Sequence, residues 1–211
     1  MSSALLQTTY FGPVQWYQKL YRYDCCSIEQ YDSYQKQTYR NRCVIATANG
    51  LQALTVPVEH NPQGSTPNAQ LVRDLRISDH NQWRRVHWNA LQSAYSESPF
   101  FDYYADDIRP FFEKKYEFLI DFNEAIRQTV CQLIDIHPSV TYTSNYVPAD
   151  SIEASSVRDF REVIQAKHPQ PDDDFMPKPY WQVFQHRYGF QPNLSILDLL
   201  FCMGPESVFY L

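Results

Sequence analysis

Lys36, Arg40 and Arg42 fall within seven residues of the stretch SYQKQTYRNRC (33–43), between Tyr34 and Tyr39, and no Asp or Glu occurs from 33 to 58. Alternate residues of a strand share a face. If TYRNRCVI is a strand, Arg40 and Arg42 therefore point one way and Asn41 the other. Two guanidinium groups on one face are planar, bidentate donors for a phosphate or carboxylate. The expectation is a cleft in which Tyr34, Lys36, Arg40, Asn41 and Arg42 bind a phosphorylated or nucleotide-linked ligand, with tyrosine rings as stacking surface. The competing expectation is that the arginines pair with the chain's own acids, for instance around Asp172.

Proton transfer near neutral pH is best served by imidazole, and His87 stands one helical turn from both Trp83 and Leu91. His87 and Glu29 are the two candidate bases, and a satisfied core histidine is the plainer alternative for the former. Tyr10, Gln15 and Glu29 fall near the end of a first strand, the start of a first helix and the end of a second strand. Ligands of open parallel sheets bind at such strand ends. Asn193 and Ser195 open a helix near the C-terminus, where capping accounts for them and where free N–H groups also suit an anion. Asn123 falls beside the buried stripe of a long helix, where its amide needs partners.

Several chemistries find no residues to carry them. The five glycines are dispersed, so no glycine-rich phosphate loop can be assembled. The six histidines form no HExxH or HxH, and no metal site is expected. The five cysteines are odd in number and form no CxxC, which reads as reduced thiols in a cytoplasmic protein. No resident cofactor is indicated; a nucleotide sugar or acyl donor would enter as substrate. A formal net charge of -6 argues against nucleic acid and anionic membrane surfaces. The stretch MSSALLQTTYFGP lacks a basic, apolar leader, and no run approaches the ~18 apolar residues of a membrane span. A homo-oligomer is left open.

These residues need elements to hold them. SALLQTTYF, the helix VQWYQKLYRYD opened by Gly12-Pro13, and CCSIEQY read as a βαβ unit. RCVIATANGLQALTVPV reads as a hairpin turned at Asn49-Gly50. The polar segment 59–70 reads as a loop and LVRDLRIS as a further strand. Ser78 or Asp79 is placed to cap HNQWRRVHWNALQSAY, whose inward stripe is Trp83, Val86, His87, Ala90, Leu91 and Ala94. YEFLIDFNEAIRQTVCQLID reads as a long helix and SVTYTSNY as a strand. Residues 144–180, Pro-rich and acidic in HPQPDDDFMPKP, read as a loop or lid. Ser195 and Asp198 have capping-box spacing, and Gly204-Pro205 ends the last helix. The sum is one α/β domain over 1–211: a Rossmann-like parallel or mixed sheet begun by a βαβ unit, with a hairpin insertion and a helical segment.

YFGPVQWYQKL, YQKQTYRNRC, NGLQALTVPV, WRRVHWNALQSAYSESPFFDYY and FQPNLSILDLLFCMGPESVFYL together resemble the WbqC-like protein family, most of all its branch in Bacteroides and relatives. The resemblance runs from about Leu5 to the C-terminus. It implies group transfer in the biosynthesis of a bacterial surface polysaccharide of O-antigen type, in the form of acyl or aminoacyl (glycine) transfer to an amino sugar. Where many relatives carry an Asp-Asp pair, this chain has Glu29, Gln30, Tyr31 and Asp32. The first βαβ unit is also similar, at the level of fold, to nucleotidylyltransferase-like proteins, with Gln15, Trp16 and Tyr17 where their histidines stand. The alternative to an enzyme is a non-catalytic binding or assembly protein.

Overall fold

A computed structural model describes residues 2–59, 70–153 and 156–211. The βαβ unit is present: β1 (Ser3–Gln7), α1 (Val14–Arg22) and β2 (Cys25–Glu29), with β1 and β2 parallel and in register from Ser3↔Cys25 to Gln7↔Glu29. The hairpin follows as β3 (Arg42–Thr47) and β4 (Gly50–Thr55). Its turn residues are Ala48 and Asn49, and positive φ falls on Gly50 alone, at 101°. Only a glycine adopts that angle without strain.

Four helices come next: α2 (Trp83–Tyr95), α3 (Phe101–Ile108), α4 (Pro110–Glu113) and α5 (Leu119–Leu133). The stretch expected as a strand at 71–78 is instead a 3-10 turn, Val72–Asp74, followed by single bridges to neighbouring chain. The start of α2 also differs from expectation. Residues 80–82 form a short 3-10 turn, Gln82 precedes the helix in the left-handed region, and neither Ser78 nor Asp79 caps it. Trp83, His87, Leu91 and Ala94 face inward as the period requires, whereas Val86 faces solvent. The loop expected over 59–70 lies, for residues 60–69, outside the described residues.

The sheet closes with β5 (Val140–Tyr142), α6 (Ala149–Glu153) and β6 (Val157–Asp159). Strand order is β5-β2-β1-β6, and every pairing is parallel. The fold is therefore α/β and Rossmann-like, with a separate antiparallel hairpin. The segment 144–180 is not all loop: β6 lies inside it and pairs with Ser3, Ala4 and Leu5 of β1. Three residues, VRD, carry too little periodicity to announce a strand. Further along the segment, Asp172 and Asp174 reach Gln15, Gln18 and Lys19 of α1. After α7 (Gln185–Tyr188), the last helix α8 (Ile196–Met203) packs on α1, α3 and β3. Among the described residues no helix is long and apolar enough to cross a membrane.

The core is aromatic, and Tyr10, Trp16, Tyr95 and Tyr180 each hydrogen-bond through their polar tips. Tyr10, Phe11, Trp16, Tyr17, Tyr95 and Phe201 are all fully enclosed. Ser195 caps α8 through the Leu197 N–H, as expected, but Asp198 does not complete a capping box. Its buried carboxylate instead accepts from Tyr95 Oη at 2.8 Å, Tyr180 Oη at 2.7 Å and Gln182 Nε2 at 2.8 Å. Burial raises the Asp198 pKa, against the pull of those three donors. This carboxylate ties α2, α8 and the irregular chain at 180–182 to one point. Truncating it leaves two phenols and an amide buried without an acceptor. Asp198→Ala is expected to lose about 3 kcal/mol or more of stability in urea unfolding, while the exposed Asp102→Ala serves as an unaffected control.

Candidate functional site

β1 and β2 end level at Gln7 and Glu29, β6 ends at Asp159 opposite Leu5, and charged side chains gather at that carboxyl edge. Glu29 is 2% exposed. One of its oxygens accepts from the Tyr31 N–H at 2.8 Å and the Thr143 hydroxyl at 2.9 Å. The other accepts from the Val147 N–H at 2.9 Å and lies 3.5 Å from Arg161 Nη1. Arg161 forks onto Asp159, with Nη2 at 2.7 Å and Nε at 3.0 Å from its two oxygens. The Tyr146 ring centroid lies 5.6 Å from the same guanidinium.

Arg40 lies beside this group and is 1% exposed. Its Nη2 pairs with the Asp32 carboxylate. Its Nη1 is buried and has no hydrogen-bond partner. Burial pulls the arginine pKa down, and Asp32 is the strongest influence holding it up, with Glu162 and Arg161 also within electrostatic reach. The Arg40 carbonyl accepts from Asn123 Nδ2 at 2.8 Å, and the same amide donates to Thr8 Oγ1 at 3.1 Å. Asn123 Oδ1, Thr9 Oγ1 and Gln7 Oε1 are likewise buried without partners. A buried polar atom left unpaired costs about 1–3 kcal/mol, so a run of them around the end of β1 is a concentration of unmet hydrogen-bonding capacity. A guanidinium so placed has an N–H free for a phosphoryl or carboxylate oxygen.

The basic stretch itself does not converge. β3 begins only at Arg42, so Arg40 and Arg42 do not share a strand face, because the chain turns through Gln37 at φ 64° before it extends. Lys36 is exposed. Arg42 is half-buried and donates from Nε to Thr55 Oγ1 at 3.1 Å. Asn41 is buried and donates to the Val56 carbonyl at 2.8 Å. Tyr34 and Tyr39 are core residues and offer no face to a cleft. Arg40 pairs with an acid of the chain, but with Asp32 rather than with the Asp172 loop.

The remaining candidates form two separate clusters. The Tyr10 hydroxyl meets His87 Nδ1 at 2.9 Å, and the imidazole also bonds the Thr55 backbone. Trp83 and Phe112 pack edge-on against the ring. At the start of α1, the Gln15 N–H donates to Asn193 Oδ1 at 2.9 Å, and Asn193 Nδ2 returns to Gln15 Oε1 at 2.9 Å. Gln15 Nε2 reaches Asp172 at 2.8 Å, and Asp172 pairs with the buried Lys19 at 2.7 Å. The Ser195 hydroxyl donates to the Phe11 carbonyl at 2.8 Å. Asn193 thus fills the helix start that an anion would otherwise take.

Sequence reasoning missed Asp159, the last residue of a strand too short to be seen, and Arg161, which follows that strand by two residues. Asp32 carried one signal, its place in the stretch 29–32. Among the described residues, no three His, Cys, Asp or Glu side chains group so as to hold a metal ion.

The WbqC-like protein family matches residues 7–169 of the chain. That span runs from Gln7, the last residue of β1, to beyond β6 and includes Glu29, Asp32, Arg40, Asp159 and Arg161. The uncharacterized protein Rv1507c of Mycobacterium tuberculosis is 28% identical over 197 residues, covering 84% of this chain and 83% of its own. No solved structure matches the chain significantly.

Burial lowers the His87 pKa from 6.5 to about 4. The fold therefore holds the neutral imidazole, while the unfolded chain takes up its proton near 6.5. The resulting stability is fully present above pH 6.5 and is lost as pH falls through about 4, by ~3 kcal/mol in all. Urea unfolding between pH 7 and 4 is expected to show this slope in the native sequence and a flatter one in His87→Phe. Equal slopes would mean that the folded protein protonates His87 normally.

Proposed function

The chain belongs to the WbqC-like protein family, and from that premise we propose that it is a group-transfer enzyme whose ligand site is the carboxyl edge of the parallel sheet. The reaction proposed is acyl or aminoacyl transfer to an amino sugar in the assembly of a bacterial surface polysaccharide. The amine gives up a proton as it gains the acyl group, and the donor releases its carrier. The ligand held at the sheet edge is phosphorylated or nucleotide-linked.

One observation carries this reading. Arg40 is enclosed at the strand ends, is anchored through one terminal nitrogen to Asp32, and keeps the other without a partner. A structural arginine would be expected to spend all its buried donors within the protein. An arginine kept for a ligand is oriented by a carboxylate on one side and left open on the other. Arg161, just after β6, and Glu29, at the end of β2, support the reading as a second charged pair at the edge. Placement at the carboxyl ends of parallel strands is where ligands of this architecture bind.

The test uses Arg40→Lys, which keeps the charge next to Asp32 but loses the planar fork. Thermal unfolding is measured with nucleotide sugars, acyl-CoAs, nucleoside triphosphates and inorganic phosphate. A compound that raises the Tm of the native protein and leaves that of folded Arg40→Lys unmoved is the expected outcome. A shift of the same size in both proteins would place the ligand elsewhere. A panel that shifts neither would overturn the phosphorylated-ligand reading.

A further inference from the structure

A groove of about 740 Å³ lies away from the sheet-edge residues, between α3, the end of α5 and the C-terminal turn. Two exposed aromatic rings line it. Tyr103 is 73% exposed and Phe209 is 71% exposed, more than any other Tyr, Phe or Trp among the described residues. Neither ring is a loose end. Tyr103 stands edge-on to the buried Tyr104 at 4.8 Å. Phe209 projects from the turn Gly204–Tyr210, whose Ser207 is fully buried and donates to the Gly204 carbonyl at 2.7 Å. The half-buried Leu133 adds apolar surface, and Asp107, Gln132 and Asp135 supply polar groups.

The charges of the lining decide between occupants. No Lys or Arg lines the groove, so a phosphate or nucleotide finds two carboxylates and no cation there. An apolar protein anchor would strip water from Asp107 and Asp135 without pairing them, which is costly. Asp107 has no ion-pair partner among the described residues, and Asp135 has only the exposed His137 at 3.4 Å. A saccharide ring meets both demands. Its C–H face lies against an aromatic ring, and its hydroxyls donate to carboxylates and an amide at the rim. An amino sugar would add a cation for the same acids and rings.

We propose that the groove between Tyr103 and Phe209 is a saccharide-binding site for neutral or amino sugars. The inference uses no residue of the sheet edge and does not depend on the phosphorylated-ligand reading. Both rings are largely in solvent, so their truncation leaves the fold intact.

Saturation-transfer NMR on the whole chain tests it, with maltose, N,N'-diacetylchitobiose and glucosamine as probes. Transfer to the ring protons of at least one probe is expected, with its Kd raised about tenfold or more in Tyr103→Ala/Phe209→Ala and the Tm unchanged. Arg40→Lys should keep the signal, which separates this groove from the sheet edge. Absence of transfer from all three probes at millimolar concentration would overturn the proposal, as would a Kd that the double substitution leaves unchanged. Sedimentation velocity completes the test. A concentration-dependent dimer that disappears in the double variant would make a second copy of the chain the occupant instead.

Discussion

A charge taken out of water must be met where it sits, and three such charges organise the irregular parts of this chain. Lys19 is met by Asp172, Arg40 by Asp32, and Arg161 by Asp159 with Glu29 behind it. In each case at least one partner belongs to a strand or helix of the sheet unit or comes directly after one. Asp172 brings the acidic segment down onto α1, where Asp174 then collects Gln18, Tyr23 and Arg158. Replacing such a pair wholesale by apolar groups can be neutral, but leaving one partner alone costs several kcal/mol. The path of chain that lacks regular structure is thereby fixed by charge matching together with the burial of Phe160, Ile164 and Tyr180.

The same demand applies to hydroxyls. A core this rich in tyrosine has to find an acceptor for each enclosed phenol. Tyr10 finds His87, while Tyr95 and Tyr180 share Asp198. The high aromatic content therefore mostly serves packing, and the rings left over for recognition are few. Tyr34 and Tyr39, which bracket the basic stretch in sequence, are among those spent on the core.

Elements with a full period were legible in the sequence: the βαβ unit, the hairpin, the inward face of α2 apart from Val86, the long helix α5, and the end of α8 at Gly204. Failures came where a short or local feature was decided by distant partners. β6 has three residues and exists because β1 offers an open edge. The stretch 71–78 has strand-like composition but is held by single bridges. Spacing made Arg40 and Arg42 neighbours on one face, yet a left-handed residue at Gln37 sends the chain around before β3 begins. Of the site, Arg40 and Glu29 were visible as residue types at strand ends. Arg161 was not, because nothing near it in sequence marks the strand that delivers it.

The loop after β1 is gripped by residues from the far end of the chain. The Val14 N–H donates to the Leu194 carbonyl, Ile196 N–H to the Gly12 carbonyl, and Asn193 caps Gln15 across a separation of 178 residues. The start of α1 is thus finished by residues that lie 178 positions further along the chain. At roughly 5–20 residues per second, the nascent βαβ unit waits on the order of ten seconds or more with its helix start open. Contacts of such long separation also slow folding in general. The start of α1 accordingly gains its full set of hydrogen bonds only after residues 193–196 have been made.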